Sequence, residues 1–299
     1  MRALVTGAAG FVGRHLVPRL TAARYEVTAT DLELDVADEA AVCARVEALE
    51  PALIVHLAAI ASPPQAARAP EITYRVNFLG TRSVLEAAAR HAPSARVLLV
   101  CSADAYGSLP PGSPPFTEAA PLLPASPYAR SKAAAELLGG AYAARGLDVV
   151  STRSFNHFGP GQAEAFVLSS FAKQAAEIAA GQRKPCMRVG NLDSVRDFLD
   201  VEDVVRAYVA LCDRAVPASV YNVASGRGVR VGDALDIILR LAGVSPAIEV
   251  DPERHRPTDY AVGDSSRLHE ATGWEPRIAL EDSLRRVVEY WRSQIASGG

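Results

Sequence analysis

Three side chains in the middle of the chain have the types and spacing of an acid–base site. Tyr128 and Lys132, in SPYARSKAAAE, stand four residues apart, so on a helix they share one face. A phenol ordinarily releases its proton at about pH 10. An ammonium held close by favours the phenolate and would bring the tyrosine into use as an acid and base near neutral pH. Ser102, in CSADAYG, offers a hydroxyl that can hydrogen-bond the same substrate oxygen and polarise a carbonyl. An isolated Y-x-x-x-K pair reads equally well as an ordinary amphipathic helix pair, so the decision rests on what else the chain carries. Asp104, two residues past Ser102, is either the carboxylate of an eliminating enzyme or a turn residue beside a simpler reaction.

The elements that must position these groups begin at the N-terminus. In RALVTGAAGFVGRHLVPRL, residues 3–6 form a short apolar strand, and Gly7, Gly10 and Gly13 follow in G-x-x-G-x-x-G spacing. Residues 11–20 then have the helical period. Glycine at such a turn lets the backbone bend sharply, lets a diphosphate reach the amides and lets helix pack on strand, while the helix N-terminus faces the negative charge. A glycine-rich loop without a ligand is the alternative, and the position of the loop at the opening of a βαβ unit argues against it. Residues 26–31, EVTATD, read as a second strand ending in Asp31, whose carboxylate can hold the adenosine ribose hydroxyls and so favours NAD(H). Arg14, just past the last glycine, is placed to meet a 2′-phosphate and keeps NADP(H) open; Asp31 as a mere strand-end turn residue is the other reading. Asp35 and Val36 are placed to border the adenine, with a helix N-cap by Asp35 or Asp38 as an equal alternative. The run HLAA supplies Leu57, Ala58 and Ala59, small enough at its end for a cofactor to pass. Phe11 and Val12 in the glycine loop and Phe155 at a later strand end complete the expected cofactor contacts.

A strand at 53–59, a helix around 75–91, a strand at 96–101, a helix from Tyr128 and a strand at 148–155 continue the alternation. This is the pattern of an α/β fold, a Rossmann-type doubly wound parallel sheet whose ligands lie outside the carboxyl ends of its strands. Ser102, the Tyr128–Lys132 pair and Asn156 fall at three such ends. From Gly159 the alternation becomes irregular, with helices expected at 166–180 and 280–294 and a loop and strand at 189–201. The expected division is a dinucleotide-binding domain of residues 1–157 plus about 188–216, and a smaller C-terminal substrate-binding domain of about 158–187 and 217–299. The proline-rich segment 109–127 lies between two of the strand ends and is a candidate substrate loop.

Composition narrows the function classes. The chain has 299 residues, 49% of them hydrophobic, enough for a large core. A net charge of −3 builds no positive field for nucleic acid. Cys43, Cys101, Cys186 and Cys212 are scattered, without metal-ligand spacing, which suits a reducing compartment and a cytoplasmic protein with no metal. No apolar run approaches the roughly 18 residues of a membrane span. Small residues along YARSKAAAELLGGAYAARG would permit close packing between subunits, so a homodimer is expected, with burial inside the monomer as the alternative.

GAAGFVG, CSADAYG and SPYARSK together resemble the extended short-chain dehydrogenase/reductases that act on nucleotide sugars. The resemblance continues through RSFNHFGPGQ, FAKQAAEI, VGNLDSVRDFLDVEDVVRAY, YNVASG and TGWEP, nearly the whole chain. FNHFGPGQ and VGNLDSVRDFLDVEDV are most similar to the members that reduce the 4-keto group of a GDP-linked 6-deoxymannose. The resemblance implies that Ser102, Tyr128 and Lys132 are catalytic, with Lys132 also on the nicotinamide ribose, and that Gly7, Gly10, Gly13 and Asp31 hold the cofactor. It places Asn156 on the sugar nucleotide and Val167 with Lys173 near the base. Arg196, Arg256 and Lys173 are the candidates for the diphosphate, and Arg256 with Asp259 for ribose and phosphate; surface salt bridging is the alternative for each. In the similar 4,6-dehydratases two consecutive residues after the hydroxyl residue supply an acid and a base, usually with glutamate second. Here they are Ala103 and Asp104, and alanine carries no proton, so dehydration is disfavoured and 4-keto reduction remains. A 4-epimerase holding its NAD permanently, and a dinucleotide-sensing protein without catalysis, are the alternatives; damage to the tyrosine or lysine, the usual mark of the latter, is absent.

Overall fold

The apolar runs at residues 3–5, 53–55 and 97–99, buried on both faces, can be stable only with helices covering both sides. That is the arrangement in the computed structural model, which describes residues 1–252 and 259–297. The order is β1 (Arg2–Thr6), α1 (Phe11–Ala22), β2 (Glu26–Thr30), α2 (Glu39–Leu49), β3 (Leu53–His56), α3 (Pro63–Arg68), α4 (Pro70–Tyr74) and, after a π-helical turn at Arg75–Leu79, α5 (Gly80–His91). Next come β4 (Arg96–Ser102), a 3-10 turn at Ala103–Tyr106, α6 (Pro127–Ala143), β5 (Asp148–Ser154), β6 (Asn156–Phe158), α7 (Val167–Ala179), β7 (Cys186–Val189), β8 (Val195–Asp200) and α8 (Val201–Leu211). The chain ends with β9 (Val220–Val223), β10 (Gly228–Arg230), α9 (Val231–Ala242), β11 (Ala247–Val250), β12 (Tyr260–Ala261), α10 (Ser266–Thr272) and α11 (Leu280–Ser297).

The large sheet runs β2-β1-β3-β4-β5-β9, every pair parallel. The chain leaves β1 toward β2 and then crosses back to β3 on the other side, so the order reverses between β1 and β3, the switch point where such sheets bind ligands. The period of two sends Ala3 and Val5 to one face, against Leu16 and Leu20 of α1 and Val204 and Tyr208 of α8, and Leu4 to the other, against Val42 of α2 and Val84 of α5. A second core, from Leu168 and Phe171 of α7, Leu235 and Ile238 of α9 and Leu284 and Val287 of α11, builds the smaller lobe. There β8 carries β6, β10 and β12.

Two segments sit differently from expectation. Val220–Val223, expected with the smaller domain, is the edge strand of the large sheet, registered on Ser151–Ser154 of β5. Val195–Asp200, expected with the large domain, instead pairs with strands of the smaller lobe. Both are strands of four to six residues whose sheet is chosen by long-range pairing and not by their own pattern. The expected helix at 75–91 is entered earlier, at Pro70, and passes through the π-helical turn. The acids of DFLDVEDV are staples between the lobes: Asp200 caps α8 through Glu202 N at 2.8 Å and pairs with Ser283 and Arg286 of α11. Asp203, wholly buried, accepts from Arg277 N and Ile278 N at 2.9 Å each and pairs with Arg206.

Candidate active site

The glycine loop at the switch point has the shape of a phosphate cradle. Gly7 adopts φ +70°, and a Cβ there would lie 2.6 Å from Ala58 N, so the turn has room for hydrogen alone. A Cβ on Gly13 would stand 2.3 Å from Ala8 O, which shows how closely α1 packs on the loop. Gly10 precedes the first turn of α1, with no side chain capping its amides, and helix-start amides left this way suit an anion. Phe11 and Val12 are half-buried over the core beside the loop. At the end of β2, Asp31 takes Ala9 N on Oδ2 at 2.8 Å, and Glu33 takes Asp31 N at 2.9 Å. Leu57, Ala58 and Ala59 line the neighbouring strand end, half-buried. These residues fit a dinucleotide.

The remaining expected cofactor contacts are less direct. Asp38, not Asp35, caps α2, accepting Ala41 N at 3.1 Å; Asp35 takes Ala37 N at 3.0 Å and an ion pair from Arg75. Val36 is buried against Gly80. The ring of Phe155 is buried in an apolar cluster with Ala103, Tyr106 and Phe116, and its amide and carbonyl are taken by Val223 O and His157 Nδ1.

At the carboxyl end of β4 the structure brings the Ser102 hydroxyl near the Tyr128 phenol, with Asp104 acting on the same phenol. Ser126 caps α6 through Ala129 N at 3.1 Å and Pro127 opens the first turn, so Tyr128 leaves the helix start toward the β4 end. Lys132 donates to Val100 O at 2.8 Å. The protein's own groups act on this pair as follows, before the charge of an oxidised nicotinamide is added. Burial and the Asp104 carboxylate push the Tyr128 phenol well above its ordinary range, opposed by the Ser102 hydroxyl. The Lys132 ammonium is turned to a backbone carbonyl, and burial lowers its own pKa. The phenol is therefore held protonated through the neutral range instead of being poised as a phenolate.

Asp104 is exposed along the cleft, yet the protein around it raises its carboxyl pKa by desolvation, with Arg196 opposing and Asp259 reinforcing. Arg196 and Asp259 form an ion pair at 2.5 Å. Ser102, Asp104, Tyr128, Arg196 and Asp259 thus share one cleft, walled by the turn after β4 and by β8. Asn156 is exposed where β6 begins. Asp197, next to Arg196 and wholly buried, accepts from Ser225 N, Ser225 Oγ and Gly226 N at 2.6 to 2.9 Å and fixes the far wall.

The other expected substrate contacts have surroundings of their own. The Ala103 methyl is buried in the apolar cluster, because the 3-10 turn sends it inward while Asp104 faces out. Lys173 is committed to Glu164 and Glu177 and lies 5.4 Å from the ring of Trp291. Val167 opens α7 and is exposed. Arg256 falls outside the described residues. Two polar residues of this region escape a reading of motifs. Asn77, buried in the π-helical turn, takes Ile60 N at 2.8 Å and donates to Ser131 Oγ at 2.9 Å, joining the loop after β3 to the catalytic-candidate helix. His56, the first residue of HLAA, bonds Thr6 Oγ1 at 2.8 Å through Nδ1, and its buried Nε2 has no partner among the described residues.

Burial, together with the nearby Lys132 charge, pushes His56 from 6.5 down to about 3. The unfolded chain binds this proton below about pH 6.5 and the folded chain does not until about pH 3, so stability is lost as pH falls through that window. At pH 5 the loss amounts to about 2 kcal/mol. We expect His56→Gln to shrink the difference between urea unfolding free energies at pH 7 and pH 5 by about that amount; an unchanged difference would contradict the assignment.

Comparison with known proteins agrees with this architecture. Residues 30–287 match the family model described as GDP-mannose 4,6-dehydratase. The chain is 35% identical to the GDP-6-deoxy-D-mannose reductase of Pseudomonas aeruginosa, over 98% of both chains. It is 30% identical to the UDP-glucose 4-epimerase of Mycolicibacterium smegmatis, over 98% of this chain and 99% of that one. Among solved structures it superposes on RMD from Pseudomonas aeruginosa complexed with NADPH, with a TM-score of 0.89 at 34% identity and coverage of 98% and 99%. The UDP-glucose 4-epimerase of Thermus thermophilus in complex with NAD gives 0.87 at 29% identity, with the same coverage. The chain belongs to the GDP-mannose 4,6-dehydratase family and is an extended short-chain dehydrogenase/reductase.

Proposed function

We propose that the protein reduces the 4-keto group of a nucleotide-linked 6-deoxy sugar, converting GDP-4-dehydro-6-deoxy-D-mannose to GDP-D-rhamnose. The observation that carries this reading is the placement of Tyr128: a buried phenol at the start of α6, near Ser102 and Asp104 at the end of β4, where burial first and Asp104 second favour its protonated form. Ketone reduction places negative charge on an oxygen that must then receive a proton, and a protonated phenol beside a hydroxyl is the group to give it. The nicotinamide, when bound, supplies the hydride. Lys132 and the glycine loop hold the dinucleotide, Asn156 meets the sugar, and Arg196 exchanges part of its pairing with Asp259 for the diphosphate. Elimination of water needs an acid and a base side by side, and the position before Asp104 is a methyl turned into an apolar cluster. Reduction thus fits better than dehydration. Four free thiols suit a reducing compartment, and we place the protein in the cytoplasm.

The assay is direct. With GDP-4-dehydro-6-deoxymannose and reduced nicotinamide, the wild type oxidises the cofactor with formation of a 4-hydroxy product, and with GDP-mannose alone it forms no keto sugar. Tyr128→Phe lowers kcat by about 1,000-fold or more, within the range for losing a general acid that also polarises the carbonyl, while cofactor affinity stays within about threefold. Wild-type turnover in that variant, or interconversion of 4-epimers without net cofactor consumption, overturns the reading.

We infer further that NADH is the preferred reductant. The end of β2 presents two carboxylates, Asp31 and Glu33, and the Asp31 amide holds the Glu33 carboxyl below its usual range, so it stays charged. The Arg14 guanidinium donates to Gly161 O at 3.3 Å. A 2′-phosphate would bring its charge against those carboxylates. The expected kcat/KM ratio of NADH to NADPH is about tenfold or more, equivalent to about 1.4 kcal/mol of discrimination, and Asp31→Ser with Glu33→Ser narrows it; a wild type preferring NADPH contradicts the inference. We also propose that a second copy packs on α6, whose Leu137 is 68% exposed beside Gly140. Sedimentation at the monomer mass would refute that dimer.

A further inference from the structure

Behind the cleft, one buried guanidinium joins three segments that the site depends on. Arg153, on β5, bonds both oxygens of Glu136 through Nε at 2.9 and 3.1 Å and one of them through Nη2 at 2.6 Å. Its Nη1 donates to Tyr106 Oη at 2.9 Å and to Glu118 O at 3.0 Å. The guanidinium carbon also lies 4.7 Å from the centre of the Tyr106 ring. Arg153 and Glu136 are 6% and 5% exposed, so neither is a surface pair.

Each partner stands for a different part of the candidate site. Glu136 is on α6, one turn past Lys132 and two past Tyr128. Tyr106 closes the turn that begins at Ser102 and carries Asp104. Glu118 belongs to the proline-rich segment. The network runs on from Tyr106 Oη to Asn222 Oδ1 at 2.7 Å, and Asn222 Nδ2 reaches Phe116 O at 2.8 Å and Asp264 O at 3.0 Å. Asn222 N donates to Glu118 Oε1 at 2.8 Å, so the proline-rich segment is held from two sides. A buried ion pair of this kind is weak evidence of stabilisation, since apolar residues of like volume commonly serve a fold as well or better. What an apolar trio cannot supply is direction: the planar fork fixes the angle between α6 and the turn after β4. Ser102 begins that turn and Tyr128 lies on α6.

We propose that Arg153 is a positioning residue, which sets the Ser102–Tyr128 alignment and couples it to the seating of residues 109–127. The proposal rests on the reductase reading above. Arg153→Lys keeps a positive charge beside Glu136 but cannot bond Glu136, Tyr106 and Glu118 together. Its kcat for 4-keto reduction falls by about 10- to 100-fold, the cost of misplacing reacting groups by a fraction of an ångström to one ångström. Substrate KM and cofactor Kd stay within about threefold, and the deuterium isotope effect on kcat with 4-deuterated reduced cofactor rises, because the chemical step is the one slowed. Arg153→Met combined with Glu136→Leu removes both charges at similar volume; it keeps the urea midpoint near wild type yet shows the same loss of kcat.

Wild-type kcat in Arg153→Lys, or a loss of kcat accompanied by equal changes in KM and Kd, overturns the proposal, as does a double variant that folds and turns over normally. Should the double variant fail to fold, the lysine variant decides alone. Tyr128→Phe measured in parallel separates the two ideas: an active Tyr128→Phe sinks the reductase reading itself. An inactive Tyr128→Phe beside a fully active Arg153→Lys sinks only the positioning role.

Discussion

A phenol removed from water beside a carboxylate cannot easily ionise, and this desolvation of Tyr128 governs how the rest of the cleft can be read. Burial and Asp104 hold the proton on the phenol, and Ser102 is the partner that stabilises the opposite state. The same carboxylate faces Arg196 and Asp259 from across the cleft. A negative diphosphate drawing Arg196 away from Asp259 would therefore alter the field on Asp104 and, through it, on Tyr128. Substrate seating and proton donation are linked by charge even though they belong to different lobes.

The two lobes are kept in register by buried carboxylates that a motif reading would assign to binding. Asp197, Asp200 and Asp203 lie within seven residues of one another, and each is satisfied by backbone amides, a serine hydroxyl or an arginine. Buried charges that are fully hydrogen-bonded specify one arrangement of the elements they join. Arg196, in the same strand, is itself partly exposed and paired with a half-buried partner, the condition of a group that can change partners.

The large sheet and the glycine loop were legible because their signals are local. Gly7 is required by a positive φ and by Ala58 N, and the loop, the strand before it and the helix after it are neighbours in sequence. The Tyr128–Lys132 spacing places both residues on one face of a helix by helical geometry alone. Short strands such as Val220–Val223 carry no mark of which sheet will take them, and their lobe was misread for that reason.

Sequence alone therefore determined the α/β architecture, the switch-point loop and the set of groups near the β4 end, since each follows from steric and periodic constraints acting over a few residues. Tertiary structure decided which state those groups are in. The Tyr128 proton depends on every atom that excludes water from it, Ala103 faces inward because a turn sends it there, and Lys173 is occupied by neighbours on its own lobe. Arg153 meets partners 17, 35 and 47 residues away. Desolvation and long-range hydrogen bonding are sums over the folded surroundings, and no window of residues contains them.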